Sequence, residues 1–216
     1  MGEARLREEI CALARSLFER GYTHGSTGNI SARTEDGGLL VSPTGTSFGR
    51  LDPARLARFD SAGRHVDGDK PTKEMPLHTA LYDTRGGRAG AVVHLHSHHA
   101  VALSMLPETD WNDALPPLTP YGIMQLGRVK VLPYLAPGDP LMGEAVRALE
   151  GQRSAMILAN HGPVVAAGSV EKAVYAMEEL EETARLALRL RGEAPRRLTD
   201  AQVASLIATC NIDMGE

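Results

Sequence analysis

Apolar residues recur along this chain in two periods, and the switches between them mark its elements. Over residues 4–20, Leu6, Ile10, Leu13, Leu17 and Phe18 fall at helical spacing, and Gly21 is a natural stop. A small-residue loop, Gly25-Ser26-Thr27-Gly28-Asn29, leads into a short strand, Ile30–Arg33. Asp36-Gly37-Gly38 predicts a hairpin turn into Leu39–Val41, which Ser42-Pro43-Thr44-Gly45 ends. A second short hairpin is expected from Phe59 to Val66, turning at Ser61-Ala62-Gly63. Thr72 to Tyr82 reads as a helix with Thr72 as N-cap and Leu77 and Leu81 facing inward.

Further along, Ala91 to His96 predicts a strand followed by a helix through Ser104. Asp110 to Pro120 is proline-rich loop, Val129 to Tyr134 strand and Asp139 to Leu149 helix. Ser154–Asn160 and Val164–Ala167 are strands, Val170–Arg191 is a long amphipathic helix, and Leu198–Ala208 is a last helix capped by Thr199. Hairpins mixed with helices argue for a mostly antiparallel central sheet with helices packed on it, rather than a doubly wound parallel sheet.

With 216 residues the pattern describes one domain, 1–216, with a short tail from about 210. A net charge of -4 with mixed signs leaves no basic footprint for nucleic acid. The arginines between Arg185 and Arg197 fit the solvated end of a helix or a subunit contact. No apolar stretch approaches the ~20 residues of a membrane span. Glu3, Arg5, Arg7, Glu8 and Glu9 break up the N-terminus as a leader peptide would not allow, so a cytoplasmic protein is expected. Cys11 and Cys210 sit in no Cys/His cluster and are expected to be buried and inert.

The candidate chemistry lies at the ends of two apolar runs. Ala91-Val92-Val93 ends in His94-Leu95-His96, and Met156-Ile157-Leu158-Ala159 ends in Asn160-His161-Gly162. Residues i and i+2 of a strand share a face, so His94 and His96 project two imidazoles one way. With His161 as a third nitrogen, the set has the form of a catalytic zinc site with an open fourth position. Taken alone, a His-x-His pair is an ordinary feature of an element end; the remote His-Gly and the nearby carboxylate of Glu74 raise its interest. Glu74 is either an acidic residue that suits a helix N-terminus or a general acid/base beside a metal. His78 lies one turn further along. His24, His98 and His99 are read as outer groups, with His99 the best spare ligand.

Gly28-Asn29 and Thr44-Gly45 have the backbone freedom of anion-binding turns, and Thr72-Lys73 opens the helix read above, where orphan N–H groups favour phosphate. Taken alone, each of these reads first as a plain turn, and Lys73 reads equally as a solvated residue.

With these residues in view, the chain resembles the class II aldolase/adducin-head family over roughly residues 5–209. The resemblance rests on Gly28-Asn29-Ile30-Ser31, Pro43-Thr44-Gly45, Glu74, Val93-His94-Leu95-His96 and Asn160-His161-Gly162. It implies an α/β fold, a three-layer sandwich on a mostly antiparallel central sheet, assembled as a homotetramer with sites at subunit contacts. It implies zinc (or manganese or cobalt) on His94, His96 and His161, with Glu74 as acid/base. It implies a substrate phosphate held by Gly28, Asn29, Thr44, Gly45 and Thr72. Fuculose-phosphate-type aldolases carry two serines before the catalytic Glu, where this chain has Thr72-Lys73, and epimerases carry Asp in place of Glu74. The strings Gly68–Glu74, Thr119-Pro120-Tyr121, Pro137-Gly138-Asp139 and Met177–Ala184 look more like the 3-oxo-tetronate 4-phosphate decarboxylases. In that reading Lys73 answers a substrate carboxylate or phosphate, zinc stabilises an enediolate, Glu74 protonates C2, and Tyr121 assists from a loop. The alternatives are an aldolase cleaving a ketose 1-phosphate and a non-catalytic adducin-like domain, which has no need of the ligand set.

Overall fold

The computed structural model describes residues 2–210 and 212; most of the expected tail, residues 211 and 213–216, lies outside the described residues. Eight strands form one sheet: β1 (Asn29–Arg33), β2 (Leu39–Val41), β3 (Ala57–Phe59), β4 (His65–Asp67), β5 (Ala91–His94), β6 (Lys130–Leu132), β7 (Ala155–Leu158) and β8 (Gly162–Ala167). Their spatial order is β4-β3-β2-β1-β5-β8-β7-β6. Every neighbouring pair is antiparallel except β6 and β7. The helices are α1 (Glu3–Glu19), α2 (Met75–Arg85), α3 (His98–Ser104), α4 (Pro120–Leu126), α5 (Leu141–Arg147), α6 (Val170–Arg189) and α7 (Asp200–Cys210).

Two apolar clusters show that the sheet is covered on both faces. Leu6, Ile10 and Leu17 of α1 and Ala173, Met177 and Leu180 of α6 pack with Ile30, Val93 and Ile157 on one face. Leu77 and Leu81 of α2 and Met142 and Val146 of α5 pack with Val92, Met156, Leu158 and Val164 on the other. Burial on both faces explains why the central strands read as continuous apolar runs rather than alternating ones. The result is the expected three-layer α/β sandwich. Among the described residues no helix is long and apolar enough to cross a membrane.

Several local expectations hold with shifted ends. Thr199 caps α7 as read: its hydroxyl accepts from the Gln202 amide, while the Gln202 side chain accepts from the Thr199 amide. Four expectations need correction. The strand β5 stops at His94 rather than His96. Helix α4 follows the proline-rich loop directly; Thr119 accepts from the Gly122 amide and Pro120 occupies the first turn, a start signal that the loop's prolines mask. Cys210 is exposed, because α7 lies on the outside of α4 and buries none of its residues fully, whereas Cys11 is buried as expected. Finally, α2 starts at Met75 with Glu74 at the cap position, so Thr72 and Lys73 do not open the helix. The Thr72 amide donates to the Ser42 carbonyl, and Pro43 and Pro71 form a bridge, which holds this stretch extended until Pro76 starts the helix.

Candidate metal centre

The register of the central strands assembles the site. Asn29 of β1 lies opposite His94 of β5, and both share the parity of Ser31 and Val92, the face covered by α2. Glu74 at the start of α2 is thereby brought against the end of β5. The β7–β8 hairpin turns through Ala159, Asn160 and His161, with Asn160 in the left-handed region at φ 58. Asparagine tolerates that conformation, and the tight turn delivers His161 to the same point. Gly162 is required there: a Cβ would lie 2.0 Å from the Leu95 carbonyl oxygen. Gly28, at φ 85, has a Cβ position 2.9 Å from the His94 carbonyl oxygen, so the backbone of the small-residue loop passes directly over β5.

One potential ligand atom each from Glu74, His94, His96 and His161 lies within 4.8 Å of the others. The imidazole centroids are 5.1 Å apart for His94 and His96, 5.0 Å for His94 and His161, and 4.6 Å for His96 and His161. His94 Nδ1 lies 2.8 Å from the Pro163 carbonyl, which can only accept, so Nδ1 carries the proton and Nε2 presents its lone pair to the cluster. That Nε2 atom and both ring nitrogens of His161 are buried without a hydrogen-bond partner. Glu74 oxygens lie 3.3 Å from His94 Nε2 and His161 Nε2 without completing a hydrogen bond to either. Buried lone pairs with no donor are costly, and a divalent cation is the group that satisfies several converging at once. The donor set therefore fits a metal such as zinc.

The protonation states agree. Burial, with smaller contributions from neighbouring groups, pulls His94 and His96 down from 6.5 to about 4, so both rings are neutral at ordinary pH, the form that can ligate a metal. For Glu74, burial pushes its carboxyl up, but His161, His94 and the Asn29 amide together outweigh it and hold the group below the carboxylate range.

The other expected residues divide into two groups. Asn29 belongs to the cluster's wall: its Nδ2 donates to Glu74 Oε2 at 2.6 Å. Thr72 is buried beside it and accepts from the Glu74 amide at 3.3 Å. Lys73 is exposed, with its stem against Gly138, and its positive charge is felt at His96. Thr44 and Gly45 are exposed on the neighbouring loop, but the Thr44 amide already donates to the Lys70 carbonyl, so only part of the expected backbone cradle is unused. Tyr121 stands apart, 62% exposed on α4, a helix that packs on α6 and α7. His99 lies outside the group of converging donor atoms, and its Nδ1 donates to Glu181 at 2.8 Å. His24 and His98 stack on each other outside the cluster. The arginines at and beyond the end of α6 are exposed; Arg185 pairs with Glu182 and Arg191 with Glu108.

Two supports were missed in the sequence. Glu181 of α6 is buried and accepts from the His99 and Ala100 amides, holding α3 directly after His96. Ser31 and Tyr82 lie hydrogen-bonded behind His78, although the alternation of β1 placed Ser31 on a polar face that would ordinarily meet water.

Comparison with known proteins agrees with this geometry. A 3-oxo-tetronate 4-phosphate decarboxylase of Cupriavidus necator is 49% identical over 184 residues, 85% of this chain and 84% of that protein. An L-fuculose phosphate aldolase of Escherichia coli K12 is 31% identical over 87% of this chain and 85% of that protein. The crystal structure of YgbL from Escherichia coli superposes with a TM-score of 0.91 at 44% identity, covering 94% of this chain and 98% of that one. Residues 8–188 match the family described as Class II Aldolase and Adducin N-terminal domain, and the chain belongs to that family.

Proposed function

We propose that this chain is a zinc-dependent carboxy-lyase that converts a 3-oxo-tetronate 4-phosphate to dihydroxyacetone phosphate and carbon dioxide. The observation that carries the reading is the 49% identity to a decarboxylase of that name, against 31% to an aldolase, in a chain that keeps the whole Glu74/His94/His96/His161 set.

His94, His96 and His161 would hold the ion. Bound there, it supplies Lewis acidity to the ketone next to the breaking bond, and neutral histidines leave its charge undiminished. The residues do the rest. The converging loops at Gly28-Asn29, Thr44-Gly45 and Thr72 take the phosphate, and the Lys73 ammonium answers the second anion. Loss of carbon dioxide breaks the C1–C2 bond and leaves the electron pair on C2, conjugated with the ketone. Glu74 then delivers a proton to C2, and solvent replaces it for the next turnover. In the free site Glu74 is held ionised; the substrate's two anionic groups add negative charge beside it and favour the protonated form needed for that step.

Assembly as a homotetramer belongs to the same proposal. The exposure of Tyr121, away from the cluster of its own chain, supports a place for it at a neighbouring subunit's site.

The alternative is an aldolase acting on a ketose 1-phosphate, which the shared ligand set favours and which passes through the same kind of carbanion. Incubating metal-loaded protein with each substrate separates them. Release of carbon dioxide from the keto acid, with no aldehyde from L-fuculose 1-phosphate, is the expected result; the reverse pattern rejects the decarboxylase reading.

A further inference from the structure

Behind Glu74 runs a line of buried polar side chains, of which the proposed reaction uses only Asn29. Asn29 Nδ2 lies 2.6 Å from Glu74 Oε2, and Asn29 Oδ1 lies 2.5 Å from His78 Nε2. His78 Nδ1 lies 2.7 Å from Ser31 Oγ, which lies 2.8 Å from the Tyr82 hydroxyl. His78 and Ser31 are fully buried and Tyr82 is 3% exposed. Two strand residues and two helix residues thus face each other across the β1–α2 contact, on a face otherwise filled with apolar groups.

The donor and acceptor roles have one solution. A carboxylate only accepts, so the Asn29 amide nitrogen must face Glu74 and its oxygen must face His78. His78 Nε2 must then donate, which leaves Nδ1 of a neutral ring to accept. The Ser31 hydroxyl donates to Nδ1, and its oxygen accepts from Tyr82. Burial lowers His78 from 6.5 to about 3 and keeps the ring neutral. Burial also raises the Tyr82 phenol, which stays a donor. Every bond in the line points toward Glu74.

We propose that Tyr82, Ser31 and His78 are positioning residues that lock the Asn29 amide with its N–H toward Glu74. They thereby hold the Glu74 carboxyl in a single orientation at the metal ligands. This rests on the reading of Glu74 as the proton donor. Without the His78 donor, only the ionised carboxylate holds the amide; once Glu74 is protonated for its step, the amide can turn over and accept from the carboxyl O–H instead. A line that served only to satisfy buried groups would affect folding but leave the proton-transfer step of folded enzyme untouched.

The test compares His78→Leu with His78→Gln, both checked for metal content. A glutamine reaches with an N–H donor close to the place of Nε2–H; a leucine cannot donate. In His78→Leu, kcat is expected to fall about 10- to 100-fold with KM within about threefold of wild type, and His78→Gln is expected to recover to within about fivefold. A kcat for His78→Leu within about twofold of wild type, or no recovery in His78→Gln, overturns the proposal. Long-range proton–nitrogen correlation spectra of zinc-loaded wild type give a second readout that needs neither variant nor turnover. They should show His78 as the neutral Nε2–H tautomer. An Nδ1–H tautomer or a charged ring overturns the lock. Absence of decarboxylation by wild type would instead reject the function, and the tautomer would then decide the positioning line by itself.

Discussion

Replacing Glu181 by alanine removes one carboxylate that serves three donors. It accepts from the His99 amide at 2.9 Å, the Ala100 amide at 2.9 Å and His99 Nδ1 at 2.8 Å. The two amides belong to the first turn of α3, a helix of seven residues too short to hold itself together. Hydrogen bonds to a charged acceptor are worth about 1.5–3 kcal/mol each, and an abandoned buried donor costs about 1–3 kcal/mol. Ala100 is fully buried, whereas water reaches the half-exposed His99, so the three losses do not add in full. The expected cost of Glu181→Ala is about 3–4 kcal/mol in urea unfolding, or on the order of 10 °C in Tm for a chain of this size. Glu181→Gln keeps one acceptor and should cost about 1 kcal/mol. Only Ser97 separates His96 from α3, so Glu181→Ala should also weaken metal binding about tenfold, as the loss of a group that orients a ligand does. A Glu181→Ala protein within 0.5 kcal/mol of wild type (about the scatter of neutral surface changes) would refute the reasoning.

Gly162→Ala should cost about 3 kcal/mol or more and reduce bound metal together with stability, because its Cβ has no room against the Leu95 carbonyl; denaturation and metal analysis check both. Metal-free protein should lose stability as pH falls from 6.5 toward 4. The unfolded chain takes up protons at His94 and His96 that the buried rings refuse until about pH 4, worth on the order of 3 kcal/mol for the fully buried His94. Glu74 acts in a lower window: its depressed carboxyl adds stability that is fully present above about pH 4.5 and is lost progressively as pH falls from there toward its folded value, which unfolding at stepped pH resolves. A chelator should abolish turnover, and zinc at about 100 times its Kd should return activity and add about 2.7 kcal/mol to stability, read as a rise in Tm.

Much of the fold was legible because both periods are strong. The central strands are apolar on successive residues because both faces are covered, and α1 and α6 carry clear helical stripes. The histidine cluster was legible because a strand period, read two residues past the end of β5, puts His94 and His96 on one face and because His161 stands at a tight Asn-His-Gly turn. What escaped was set by tertiary contacts between distant segments. Thr72 looks like a helix cap, yet its amide donates to the Ser42 carbonyl beside the Pro43–Pro71 bridge, and the cap falls to Glu74. Ser31 and Glu181 look solvent-facing in their own elements and are buried only because α2 and α3 lie over them. His99, too, is placed by a distant contact: it lies outside the cluster, with its partner on α6, 82 residues away along the chain.

The most direct test of the central claim is the release of dihydroxyacetone phosphate from 3-oxo-tetronate 4-phosphate in heavy water. Wild type and Glu74→Gln would be compared at equal metal content. Wild type should release product carrying one deuterium at the carbon that lost carbon dioxide, at a single prochiral position, and Glu74→Gln should be slowed at least about 100-fold. Equal rates in the two proteins, or deuterium spread over both positions by wild type, would contradict proton delivery by Glu74.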